Sequence, residues 1–216
     1  MATELFTAIK GGDKTAVERV LDRDKALVDA RDEKGLSPIL TALYHGKTEI
    51  AASILRRGPK LTAFEAAAAG DAARVREIVE RDPVQANASD EYSPLGLAAF
   101  FRRREIVRYL LGAGADPRQA SRHGGFTPLH SAVATDAAPV DIEIVRMLLD
   151  KGAESNAKSQ SGSTPLHTVG FTGDRESLAL LMEHGADPAI TNNDGKTAAD
   201  IARERGHQEV VDLLTA

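Results

Sequence analysis

The chain has 216 residues, no cysteine and a net charge of -5. That excludes a disulfide framework or thiolate metal site and argues against a dedicated nucleic-acid binder, which shows a basic excess. Aromatic residues make up only 4% and tryptophan is absent, so a core must come from many closely approaching helices rather than a few large side chains.

In chain order, the first unit begins near residue 3 as a short apolar helix reaching Gly12-Asp13, and its second helix closes at Arg23-Asp24-Lys25-Ala26. Ser37-Pro38-Ile39-Leu40 opens a second unit. A third, from near residue 61, repeats the first through Gly70-Asp71 and Arg81-Asp82-Pro83-Val84. Ser93-Pro94-Leu95-Gly96, Thr127-Pro128-Leu129-His130, Thr164-Pro165-Leu166-His167 and Thr197-Ala198-Ala199-Asp200 open four more, spaced by 34, 37 and 33 residues. Self-similarity at such a period marks a repeat array, here of seven units starting near 3, 37, 61, 93, 127, 164 and 197 and forming one domain over residues 1–216.

Each unit reads as helix, turn, helix, connection. Ser or Thr before Pro is an N-cap and first-turn pair: the hydroxyl accepts an orphan amide, and Pro needs no donor there. Second helices carry apolar residues at helical spacing, such as Ile106, Val107, Leu110 and Leu111, giving one stripe toward a core. Gly58, Gly114, Gly152 and Gly185 suit the left-handed position after a helix. A lone pair of such helices cannot bury both faces, so the stack is the folding unit.

Thr164-Pro165-Leu166-His167, then Leu180-Leu181-Met182-Glu183-His184-Gly185-Ala186-Asp187, in register with Asn193-Asp194-Gly195-Lys196-Thr197, resemble an ankyrin-repeat protein, similar to bacterial ones of unassigned role. The resemblance implies an all-α solenoid with short β-hairpin fingers, no catalysis, and a protein partner bound through the fingers and first-helix ends on the concave face. Two irregularities stand out. No room exists for a finger between units two and three, near Arg57–Lys60. Unit five carries about four extra residues, roughly Ala137-Ala138-Pro139-Val140.

A search for chemistry finds little. His130 and His167 end the Thr-Pro-Leu-His element, where ankyrin repeats use a structural histidine. Equivalent positions on adjacent helices, about 8–10 Å apart, are too far apart for the ~2.0–2.1 Å bonds of a shared zinc. Gly46-Lys47-Thr48 and Gly195-Lys196-Thr197 lack the earlier glycine of a phosphate loop, and Pro117 breaks a dinucleotide pattern begun at Gly112. No cofactor is implied, and no nucleic acid. No apolar run approaches the ~20 residues of a membrane span and no signal peptide is visible, so a soluble cytoplasmic chain is expected.

Candidate contacts lie on the predicted binding face. Tyr44, His45, Phe100, Phe101 and Phe171 align at first-helix ends, Tyr92 and Phe126 at finger positions, and His123 on an exposed position. Phe100 and Phe101 have a second reading, as rings packed beneath a finger. Arg102, Arg103 and Arg104 form the one dense basic cluster, either a solvated turn or a site for an acidic partner, since Arg pairs bidentately with carboxylates. The expected chain is a monomeric protein-binding module. The competing readings are a self-associating structural protein, with the aromatic patch closing a homodimer, and a ligand site or enzyme between units.

Overall fold

The computed structural model describes residues 1–89, 92–134 and 139–215. Among them, fourteen α-helices follow one another in pairs. The first three pairs are α1 (Ala2–Gly11) with α2 (Lys14–Arg23), α3 (Pro38–Tyr44) with α4 (Thr48–Leu55), and α5 (Ala63–Ala69) with α6 (Ala72–Arg81). Next come α7 (Pro94–Phe100) with α8 (Arg104–Gly112), and α9 (Pro128–Val133) with α10 (Ile142–Asp150). The last are α11 (Pro165–Thr172) with α12 (Arg175–Glu183), and α13 (Ala198–Arg205) with α14 (Gln208–Thr215). Two 3-10 helices, Lys25–Asp29 and Pro83–Asn87, follow α2 and α6, at the two places where the sequence repeats its Arg-Asp element.

The caps form as the residue pattern requires. The Ser93 hydroxyl accepts from Gly96 N at 2.9 Å, and Thr62 and Glu65 form a reciprocal capping box at the start of α5. Pro follows the cap in α3, α7, α9 and α11, where its missing N–H costs nothing.

First helices pack in one row, from α1 on α3 through to α11 on α13, and second helices in another. Within the second row the contact between α4 and α6 is the sparsest. Small residues let the first row close up: Ala66, Ala67 and Ala68 are fully buried. At Gly170 an added Cβ would lie 2.4 Å from the Ala198 carbonyl oxygen. Between the rows runs one apolar core, with Leu21, Ile54, Leu110, Leu148 and Leu181 buried from the second helices.

The fingers depart from expectation. Each is a turn closed by one backbone bond across its base: Asp32 N to Leu36 O at 2.9 Å, Ser121 N to Phe126 O at 2.8 Å, Ser159 N to Ser163 O and Asn192 N to Lys196 O, both at 2.9 Å. The base bond, joined in three of the four by a single turn bond (Gly35 N to Asp32 O, Gly162 N to Ser159 O, Gly195 N to Asn192 O), is too little pairing for a ladder, and no strand occurs among the described residues, so these fingers are hairpin-like turns rather than the expected β-hairpins. Neighbouring fingers are tied instead to each other, Gln160 N donating to Gly124 O and Asn193 N to Ser161 O, each at 2.9 Å.

Between α4 and α5 only residues 56–62 remain, so no finger forms there. At the edge of that seam Lys60 N donates back to Asp29 Oδ1 of unit one, at 2.8 Å. Of the unit-five insertion, Ala137 and Ala138 lie outside the described residues, whereas Pro139 and Val140 precede α10 without regular structure.

Candidate functional site

Stacking brings residues from units two and four onto one face. Tyr44, at the end of α3, has its ring centroid 5.4 Å from Phe101, 6.1 Å from Phe100 and 6.2 Å from Tyr92. Phe100 and Phe101 meet edge to face at 5.0 Å, a favourable geometry for two ring quadrupoles. Tyr44, Phe100 and Phe101 are half-buried, whereas Tyr92, Phe126, His45 and His123 are exposed. Beneath them a small satellite core of Leu40, Ala68 and Leu97 packs against Leu36, Leu43, Phe64 and Phe101. Phe64 belongs to this face although its place early in α5, away from a helix end, gave no such signal.

Phe126 stands apart from the four-ring cluster, its ring 5.9 Å from His130. Between the two lies a groove of about 320 Å³, lined among others by Tyr92, Gly96, Leu97, Phe100, Phe126 and His130. Its origin is a missing side chain. In units five and six the third residue after the cap is His130 or His167. The Nδ1 of each meets the cap threonine hydroxyl, at 2.9 and 2.8 Å, and the Nε2 of each meets the carbonyl of Ser163 or Lys196 in the next finger at 3.0 Å. Unit four has Gly96 in this register, so no imidazole fills the space beside the finger that ends at Phe126. Desolvation by burial pushes His130 down to about 4, against its bond to the Ser163 carbonyl, and pushes His167 down likewise. Both imidazoles therefore stay neutral at neutral pH and act as struts.

Unit three holds a carboxylate in this register, tied back to an earlier finger instead of forward to the next one. Glu65 is buried and accepts from Arg31 of the first finger. Burial raises its pKa, but the hydrogen bonds from Arg31, Ser37 and Thr62 outweigh it and hold the group below the usual carboxylate range.

The arginine cluster is largely committed within the chain. Arg103 Nε donates to the Ala68 carbonyl at the end of α5, at 2.9 Å. Arg104 pairs bidentately with Asp141, Nη2 to Oδ1 at 2.8 Å. Arg102 is exposed and is the only non-glycine with positive φ among the described residues, at 55°. Gly12, Gly46, Gly70, Gly173 and Gly206 take that conformation at corresponding turns. Phe171 sits apart from the other rings, with the Arg205 guanidinium 3.4 Å above its face, and the His207 imidazole meets its carbonyl at 3.1 Å. The predicted contacts thus form a cluster around Tyr44, a groove edge at Phe126, and an outlying Phe171.

No group of three or more His, Asp or Glu residues suited to a metal ion occurs among the described residues, and no helix among them is long and apolar enough to cross a membrane.

Comparison with known proteins matches residues 63–159 and 136–216 to the family model described as ankyrin repeats (3 copies). The E3 ubiquitin-protein ligase KEG of Arabidopsis thaliana is 34% identical over 122 residues, covering 52% of this chain and 7% of that protein. The putative ankyrin repeat protein FPV031 of fowlpox virus is 34% identical over 138 residues, or 61% of this chain and 39% of its own length. The ARF GTPase-activating protein GIT2 of Mus musculus is 39% identical over 87 residues, 40% of this chain and 12% of that protein. The chain therefore matches well under half of each of these relatives. They come from a plant, a virus and a mammal, so the resemblance is not specifically to bacterial proteins.

Proposed function

The chain belongs to the ankyrin-repeat family, and on that premise we propose that it binds a protein partner on the concave face formed by its first-helix ends and finger tips. The family is a non-enzymatic interaction module, and the matched relatives whose printed names carry an activity extend far beyond the matched repeats. The observation that carries this reading is the ring cluster of Tyr44, Tyr92, Phe100 and Phe101 opening directly onto the groove at Gly96. A contiguous apolar patch beside a preformed groove is the usual mark of an interaction site. Aromatic residues are enriched at binding hot spots, where they bury large area with few rotatable bonds. A rigid stack also loses little freedom on association.

Tyr92 and Phe126 are the contacts to test, at 37% and 47% exposure, because replacing them spares the core. Peptides selected from a random display library on the full chain should bind the wild type and lose binding to the Tyr92→Ser/Phe126→Ser pair. The melting temperature should stay within a few degrees. Undiminished binding by the double variant places the site elsewhere. A concentration-dependent mass in light scattering, abolished by the same pair, supports self-association through this face instead.

A further inference from the structure

We propose that a second basin, adjoining the aromatic groove and lined by Lys10, Lys34, Thr41 and His45, receives an acidic side chain of the partner. The proposal rests on the binding reading above and adds the partner's chemistry to it.

The basin measures about 600 Å³ and shares Tyr44 and Tyr92 with the groove at Gly96. One bound segment can therefore occupy both. At its floor Thr41 is 1% exposed, and its hydroxyl has no hydrogen-bond partner. A buried hydroxyl in this state is uncommon, because it has given up its bonds to water without replacement. The oxygen has no surface open to solvent, so it lies beneath the basin rather than open to it.

The walls favour an anion. Lys10, in the last turn of α1, and Lys34, in the first finger, are both exposed. Asp32 lies between them but is held by its own turn, Oδ1 accepting from Lys34 N and Leu36 N at 2.9 Å each. Its other oxygen is 3.9 Å from Lys10 Nζ, a loose pairing. Lys34 makes no ion pair among the described residues. The imidazoles of His45 and His123 complete the rim. Asp90 and Glu91, which precede Tyr92 in the chain, lie outside the described residues. An incoming carboxylate meets two ammonium groups, and charge-assisted bonds of that kind are stronger than neutral ones.

The acidic partner expected from the sequence is thereby moved. Arg103 and Arg104 are engaged within the chain, whereas the lysines of unit one and the first finger face an open basin beside the rings.

The test uses the full chain and the same random-peptide selection. Enriched peptides should carry Asp or Glu close to an apolar residue. Their affinity should fall on the order of tenfold in Lys10→Glu/Lys34→Glu, persist in Lys10→Arg/Lys34→Arg, and weaken as salt rises. Peptides without acidic preference, insensitive to the lysine variants but lost with Tyr92→Ser/Phe126→Ser, would overturn this proposal and leave the aromatic reading standing. No enriched peptide, or peptides indifferent to both pairs, would overturn both.

Discussion

Helices α9 to α13 and helices α3 to α8 meet the same packing requirement with different residues. In the first region the buried histidines of units five and six tie their own caps to the following finger, His130 to Ser163 and His167 to Lys196, and adjacent fingers bond backbone to backbone. In the second region the same register holds Leu40 and Gly96, Glu65 reaches back to Arg31 of the first finger, and one finger is absent. The regular region pairs its buried histidines with cap hydroxyls and finger carbonyls in a repeating way. The irregular region leaves grooves, and its rings gather at their edges. The ankyrin family model matches from residue 63 onward, through parts of both regions, whereas the ring cluster around Tyr44 is built in the second.

The largest test of that difference is acid. His130 is 1% exposed with its pKa pushed down to about 4, below the ordinary ~6.5 it regains on unfolding. The unfolded chain then binds the extra proton between those values. The stabilisation is complete above about pH 6.5 and is lost as pH falls toward 4. A shift of this size corresponds to roughly 3 kcal/mol, with His167 acting in the same direction. Melting should drop steeply between pH 6.5 and 4 in wild type and more gently in His130→Asn, which starts lower. Equal slopes would show that the imidazole is not the strut described.

Two glycines sharpen the comparison. A methyl added at Gly170 meets the Ala198 carbonyl at 2.4 Å, backbone that cannot move away, so Gly170→Ala should cost about 1–3 kcal/mol. At Gly96 the added methyl meets two side-chain hydroxyls, Ser93 at 3.1 Å and Ser131 at 3.8 Å, and no backbone. Gly96→Ala should melt close to wild type while narrowing the groove and weakening selected peptides. If the two variants melt alike, the regular and irregular regions do not differ in tightness as described.

Arg102→Gly should raise stability by about 1 kcal/mol, because a side chain at φ 55° crowds the backbone and glycine does not. Thermal denaturation measures it, and an unchanged or lower midpoint means that contacts of the arginine offset the strain.

The smallest effect concerns the seam. With α4 and α6 in sparse contact and no finger over residues 56–62, hydrogen exchange there should be faster than over residues 128–133 or 165–172. Local opening follows local contact, and nearest-neighbour interfaces carry the stability of a repeat array. Uniform protection along the chain would mean that the first-helix row closes the seam fully.

Much of the architecture was legible because its determinants are local. Ser37, Ser93, Thr127 and Thr197 cap helices through amides three residues away, and the turn glycines act within their own turns. The structural use of His130 and His167 followed from the Thr-Pro-Leu-His element. The finger geometry was less legible, since a turn and a two-residue ladder share the same Gly and Asp signals and differ by a bond or two. The site was legible in part. Tyr44, Tyr92, Phe100 and Phe101 could be assigned to one face, but not to one cluster, and Phe64, Lys10 and Lys34 carried no mark of belonging there.

The sequence by itself determined the repeat period, the capping, the helix pairing and the place of the missing finger, since each depends on residues within one unit or on the length between two. Only the tertiary structure decided that Tyr44 meets Phe101 across more than fifty residues of chain, that Arg103 turns back to the Ala68 carbonyl, and that the glycine at position 96 leaves a groove. Those outcomes depend on how closely successive units approach and which side chain fills the space between them. That spacing belongs to the stack, and no single unit encodes it.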